Sequence, residues 1–194
     1  NLSTGNLYYE KEDIRLKAVI PLVFKRYYNA MDKGNSGLGP GWSHSHTEAV
    51  LEEKDGTLTL HKEDGKDITL EKDTAENSAE DTAGNGKAGE TYRDTRSGKE
   101  TVTKTKDGYR YEDKKTRHTL TFDREGRLQK REDKNGNHIS YRYDENGRLT
   151  CAAVYPAQAP EDSTPAGAED GTAASPQPSA YLDFTYDKDG LLRT

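Results

Sequence analysis

Apolar and polar residues alternate in short runs along this chain, and the runs stop at glycine. In GTLTLHKEDGKDITLEK, Leu58 and Leu60 fall on one face of an extended strand and Thr57, Thr59 and His61 on the other; the pattern breaks at Asp64-Gly65 and resumes with Ile68 and Leu70. A period of two is that of a half-buried strand. Comparable breaks occur at Asp55-Gly56, Ser97-Gly98, Asp107-Gly108, Glu125-Gly126, Asn135-Gly136, Asn146-Gly147 and Asp189-Gly190, with local spacings of 9, 10, 10 and 11 residues. Asn-Gly and Asp-Gly accept the positive φ angles of two-residue type I′ turns, so the pattern predicts an all-β chain folded as an antiparallel meander of hairpins.

Three of these units are copies. LTFDREGRLQK, YRYDENGRLTC and FTYDKDGLLRT align without gaps: Phe122-Asp123, Tyr143-Asp144 and Tyr186-Asp187 precede the turn glycines Gly126, Gly147 and Gly190, and Leu128, Leu149 and Leu192 each follow by two. The first two glycines are 21 residues apart and the next two 43, the excess falling in a Pro/Ala-rich insertion over 156–179 that holds five of the seven prolines. Such composition predicts disorder within one strand-to-strand loop. A second weak stretch, 73–90, is acidic and nearly free of large apolar residues, and reads as a flexible loop. The chain thus divides into an N-terminal block over 1–72, that loop, and a repeat block over 91–194.

Composition changes this picture in one respect. Leu, Ile, Val and Phe make up 27 of 194 residues, under the roughly 20% below which disorder is suspected; twelve tyrosines and the regular turns argue for a fold instead. The net charge of −6, with acidic and basic residues interspersed, excludes a general nucleic-acid binder. No run approaches the roughly 20 apolar residues of a membrane-spanning helix. The chain opens at Asn1 without a signal-peptide pattern and reads as a piece of something larger. Cys151 stands alone, which excludes an internal disulfide and a thiolate metal cluster and leaves it as a small strand residue.

Candidate chemistry concentrates in GLGPGWSHSH. His44 and His46, two apart, would share one strand face and present two imidazoles to a metal, but no third ligand lies nearby in sequence. The competing reading is a bend shaped by Gly39, Pro40 and Gly41 that seats Trp42 in the core. Ser43 and His44 lack a nucleophile elbow, and adjacent strand residues point apart. Glu52-Glu53 and Glu161-Asp162 read as solvated faces, without the apolar surroundings that raise a carboxyl pKa. Asp123, Asp144 and Asp187 sit where a carboxylate accepts from turn N–H groups, a structural role whose rival is calcium binding. No cofactor is expected.

YRYDENGRLT resembles the tyrosine-aspartate (YD) repeat; FDREGRL fits it with Phe for Tyr, and YDKDGLL carries Leu191 where the pattern has Arg. LSTGNLYYEKEDIRL, PLVFKRYYNA and GLGPGWSHS resemble the domain of unknown function that opens the repeat region of bacterial Rhs proteins. The resemblance implies a secreted or surface protein whose repeats form a curved, spiralling sheet with open edges in a fragment. It also implies a hollow shell that encloses or displays a C-terminal toxin, a non-enzymatic role for this segment, and partners in the other repeats of the same full-length chain. The family's self-cleaving core motif is missing here. A shell with solvent or cargo on each side would be polar on both faces, leaving Val19, Ile20, Leu22, Phe24, Tyr27 and Trp42 as an N-terminal core around a strand interrupted at Pro21. Two further readings stand beside it: a glycan-binding module on the repeat sheet, and a metal hydrolase centred on His44 and His46. Open edges also predict self-association.

Overall fold

The computed structural model describes residues 5–32, 34, 36–73, 89–157 and 177–193. Every element among them is a strand. β1 (Tyr8–Leu16), β2 (Leu22–Asn29) and β3 (Trp42–His44) form a three-stranded antiparallel sheet. The eleven strands β4 (Ala49–Glu52), β5 (Leu58–His61), β6 (Asp67–Lys72), β7 (Glu90–Asp94), β8 (Thr101–Thr105), β9 (Gly108–Asp113), β10 (His118–Phe122), β11 (Leu128–Glu132), β12 (His138–Tyr143), β13 (Leu149–Tyr155) and β14 (Ala180–Asp183) form one meander in chain order. A short pair, β15 (Thr185–Tyr186) and β16 (Leu192–Arg193), follows.

The strands on either side of both weak stretches pair with each other. β6 pairs with β7, Leu70 opposite Asp94, and β13 pairs with β14, Ala152 opposite Leu182. Most of 73–90 and 156–179 lies outside the described residues. The sheet therefore runs from the N-terminal block into the repeats without a break in pairing.

The turns differ from the type I′ hairpins expected. At 123–127 the Asp123 N–H donates to the Arg127 carbonyl and the Gly126 N–H to the Asp123 carbonyl, a three-residue loop; the same pair of bonds recurs at 53–57, 62–66, 133–137, 144–148 and 187–191. Only glycine takes a positive φ in these loops, 78° at Gly126 and 74° at Gly147, so each is a type I turn closed by a left-handed glycine. In four of the loops the leading aspartate accepts N–H groups further along the turn; at 53–57 and 62–66, which begin with Glu53 and Lys62, Asp55 and Asp64 within the loop accept from Thr57 and Lys66.

One face of the sheet is buried, contrary to a wall polar on both sides. Leu58, Leu60, Leu70, Val102, Leu120, Phe122, Leu128 and Val154 join Tyr92, Tyr109, Tyr111 and Tyr141 in a core shared with Ile20, Leu22 and Phe24 of the N-terminal block. Tyrosine rings supply the apolar area that a low Leu/Ile/Val content lacks. Val19 is 51% exposed, because the chain bends ahead of Pro21, so it does not join the N-terminal core.

The sheet also curls. The Val50 N–H donates to the Gly126 carbonyl at 3.0 Å, and Ala49 bridges Arg127, which brings the first strand of the meander against the loop between β10 and β11. At the other end Leu192 donates to the Gly37 carbonyl at 2.7 Å. Both contacts tie the N-terminal block to the repeat block.

Candidate functional site: the repeat clamps and the seam beside them

Each repeat aspartate organises its own turn. Asp123 accepts the Arg127 backbone N–H and Nε at 2.8 Å each, and Asp144 accepts the same two groups of Arg148 at 2.8 Å. Asp187 accepts the Asp189 and Leu191 N–H groups at 2.9 Å; with Leu191 in the arginine position, Arg193 takes over the ion pair at 3.1 Å. These N–H donors, Arg148 first for Asp144 and Leu191 first for Asp187, hold both carboxyls below the usual aspartate value. Asp133 does the same for Asn135 and Asn137, a fourth copy that the alignment on aromatic-Asp pairs left out. Its Asp-x-x-Gly spacing was the available signal.

The aromatic and leucine positions join one repeat to the next. Phe122 faces Leu128 across its hairpin, Tyr143 faces Leu149 and Tyr186 faces Leu192. The Tyr143 hydroxyl donates to the Leu128 carbonyl at 2.7 Å, and the Tyr186 hydroxyl to the Leu149 carbonyl at 3.0 Å. Arg127 lies 5.5 Å over the Tyr143 ring and Arg148 5.0 Å over that of Tyr186. Each tyrosine is thus held by the leucine and the arginine of the preceding repeat. Burial raises the Tyr143 pKa, so its hydroxyl stays a donor at all physiological pH values.

The bend GLGPGW carries the N-terminal motif. Gly39 and Gly41 adopt φ values of 97° and 76°, and a Cβ on Gly41 would sit 3.0 Å from the Tyr28 ring, so the glycine permits a close approach. Pro40 lies between them. Trp42 is half-buried and packs 5.2 Å from Tyr28 and under Arg26, outside the main core in which the sequence placed it.

His44 and His46 come together, but buried. They are 2% and 5% exposed, with ring centroids 6.1 Å apart. Desolvation lowers the pKa of His44 to about 3 and that of His46 well below its ordinary value. Ser43 turns away and donates to the Glu63 carbonyl at 2.7 Å. Among the described residues no group of three His, Cys, Asp or Glu is placed to hold a metal, so the expected imidazole pair finds no third ligand. Glu161 and Asp162 lie outside the described residues; Glu52 is exposed yet bonds to Lys104 and Tyr109 across the curl.

Sequence reasoning missed a buried charge network. Glu48, 3% exposed, pairs with Lys62 at 3.1 Å and with Arg131; Lys62 also reaches Asp113 at 3.3 Å. Partners 83 residues apart leave no local signal. A cleft of about 490 Å³ opens beside it, lined by His44, His46, Arg127, Tyr143 and Tyr186 among others. Arg127, Arg148, Tyr143 and Tyr186 in its lining are bonded to repeat turns and carbonyls, whereas His46 Nε2 and Asp32 Oδ2 are buried without a hydrogen-bond partner among the described residues.

Residues 1–70 match the model of a domain of unknown function (DUF6531), and residues 122–159 match that of the RHS Repeat. No curated protein matches the chain.

Proposed function

The chain is that of an Rhs/YD-repeat protein, and from that premise we propose that it builds wall: the N-terminal cap, 1–72, and first repeats, 91–194, of a β-shell that encloses or displays a C-terminal toxin. The observation that supports this most is the register of the clamps. The Tyr143 and Tyr186 repeats each use the leucine carbonyl of the one before, a relation by which the sheet can grow through addition of like units. On this reading the partners are further repeats of the same full-length chain, the toxin domain, and neighbouring sheet edges; the place is outside the cell or on its surface. The segment performs no catalysis.

Limited proteolysis of the full-length protein tests this. The C-terminal domain is expected to be cut far more slowly in the intact protein than as an isolated domain. Equal rates would contradict enclosure.

A second reading, glycan binding, is favoured by one row of aromatics on the first sheet. Tyr9 faces Tyr28 and Tyr28 faces Trp42 across adjacent strands, with Tyr9 half exposed. The repeat tyrosines serve it poorly, since arginines cover their rings. A glycan array answers it: signal lost in Trp42→Ala supports this surface, and a blank array removes it.

A further inference from the structure

His44 and His46 sit at the seam between the first sheet and the repeats, closed in by rings from three distant parts of the chain. Phe24 of β2 lies 5.1 Å from His44 and 6.4 Å from His46. Phe184, beyond β14, stacks on His44 at 6.0 Å and meets His46 edge-on at 6.1 Å. Tyr141 of β12 packs 5.7 Å from His46. The backbone N–H of His46 donates to Nδ1 of His44 at 3.2 Å, a bond that requires this nitrogen to be unprotonated.

The charged groups around the pair offer an imidazolium no free partner. Arg131 of β11 faces His46 and repels a second cation. Glu48 is already divided between Arg131 and Lys62, and Glu63 lies 4.0 Å from Arg131. From β2, Arg26 stands opposite His44 but is held by Asp13, while Phe24 and Phe184 bring no charge and Tyr141 is the titratable group from β12.

We propose that residues 42–48 form an acid-released latch: protonation of His44 and His46 drives them from between Phe24 and Phe184 and opens the seam, while the eleven-stranded sheet stays formed. Both histidines are held below the ordinary value of 6.5, first by burial, so the closed form binds fewer protons than the open one. Closure is therefore fully favoured above that value and weakens as pH falls through it. Each histidine shifts the ratio roughly tenfold per pH unit, and two shift it about a thousandfold between pH 8 and pH 5. Glu63, raised first by its own burial, opposes the effect, because its protonation favours the closed form. Asp113 is held below 3.8 and acts only in stronger acid. The latch rests on the seam's geometry and holds whether or not the wall encloses a toxin.

Trp42, the single tryptophan, reports on the segment. Its emission is expected to shift to the red with a midpoint between roughly pH 6.5 and 4.5, with the far-ultraviolet sheet signal retained. The pair His44→Asn and His46→Asn should abolish the shift. His118→Gln should keep it, since His118, also lowered by burial, lies on β10. If the double variant does not fold at neutral pH, hydrogen exchange of the unaltered protein decides: protection lost only over 42–48 in mild acid supports the latch. Unchanged protection, sheet-wide loss, or emission that moves only when the sheet signal collapses overturns it.

Discussion

The hydroxyl of Tyr186 donates to the carbonyl oxygen of Leu149, 37 residues earlier, at 3.0 Å. Tyr143 and Leu128 stand in the same relation one repeat before. A strand edge is a row of backbone groups awaiting partners, and this side-chain bond fixes which repeat docks on which carbonyl. Stacking of the intervening arginine on the same ring adds about 0.5–1 kcal/mol at a half-exposed site.

Tyr143→Phe removes one such bond and keeps the ring. Leaving a partly buried carbonyl unpaired costs about 1–2 kcal/mol, read as a lower urea midpoint at unchanged slope. Phe122→Tyr, at a residue 1% exposed in the apolar core, buries a hydroxyl there and should destabilise instead of adding a clamp.

Gly126 and Gly190 share a turn but not an environment. A Cβ on Gly126 would overlap the Val50 carbonyl, whereas nothing lies within 4 Å of one on Gly190. Gly190→Ala should cost about 1–2 kcal/mol, from the left-handed conformation alone. Gly126→Ala should cost clearly more and release the Val50 amide to hydrogen exchange.

Glu48→Gln removes the close carboxylate from buried Arg131 and leaves Lys62 with Asp113 alone, at a cost of about 3–5 kcal/mol. Replacing Glu48 and Arg131 together with Leu and Met should recover much of that loss. Thermal unfolding of the three proteins checks the order.

Asp144 and Asp187 lie below the ordinary value of 3.8, held there chiefly by turn N–H groups. Their contribution is present above that value and is lost as pH falls through the folded-state value. Asp144→Asn should therefore lower the melting temperature at neutral pH, and the gap should close in strong acid.

Edge pairing is the remaining consequence. β1 is exposed along nearly its whole length and, among the described residues, pairs with β2 alone, although the irregularity between Glu12 and Ile14 blunts it. Weak, concentration-dependent association is expected by sedimentation velocity and should vanish in Ile14→Lys. A strict monomer near millimolar concentration would contradict it.

What could be read from the sequence was local. Alternation in 57–70 and the Asp-x-x-Gly-x-Leu spacing marked the strands and turns, because period and turn chemistry act within a few residues. The turn type was missed because Asn-Gly suits two loops, and the Asp side chain chooses between them. The two polar faces were wrong because tyrosines were not counted as core. Burial of His44 depends on Phe184, 140 residues on, and Glu48 meets Arg131 only when the sheet curls; no nearby residue announces either.

Electron cryomicroscopy of the full-length protein tests the wall most directly. The account predicts that strands after β16 extend the same antiparallel sheet around a hollow interior, each new repeat tyrosine bonded to the leucine carbonyl before it. A full-length protein in which the sheet closes on itself after Arg193, with no interior space and no further clamps, would contradict it.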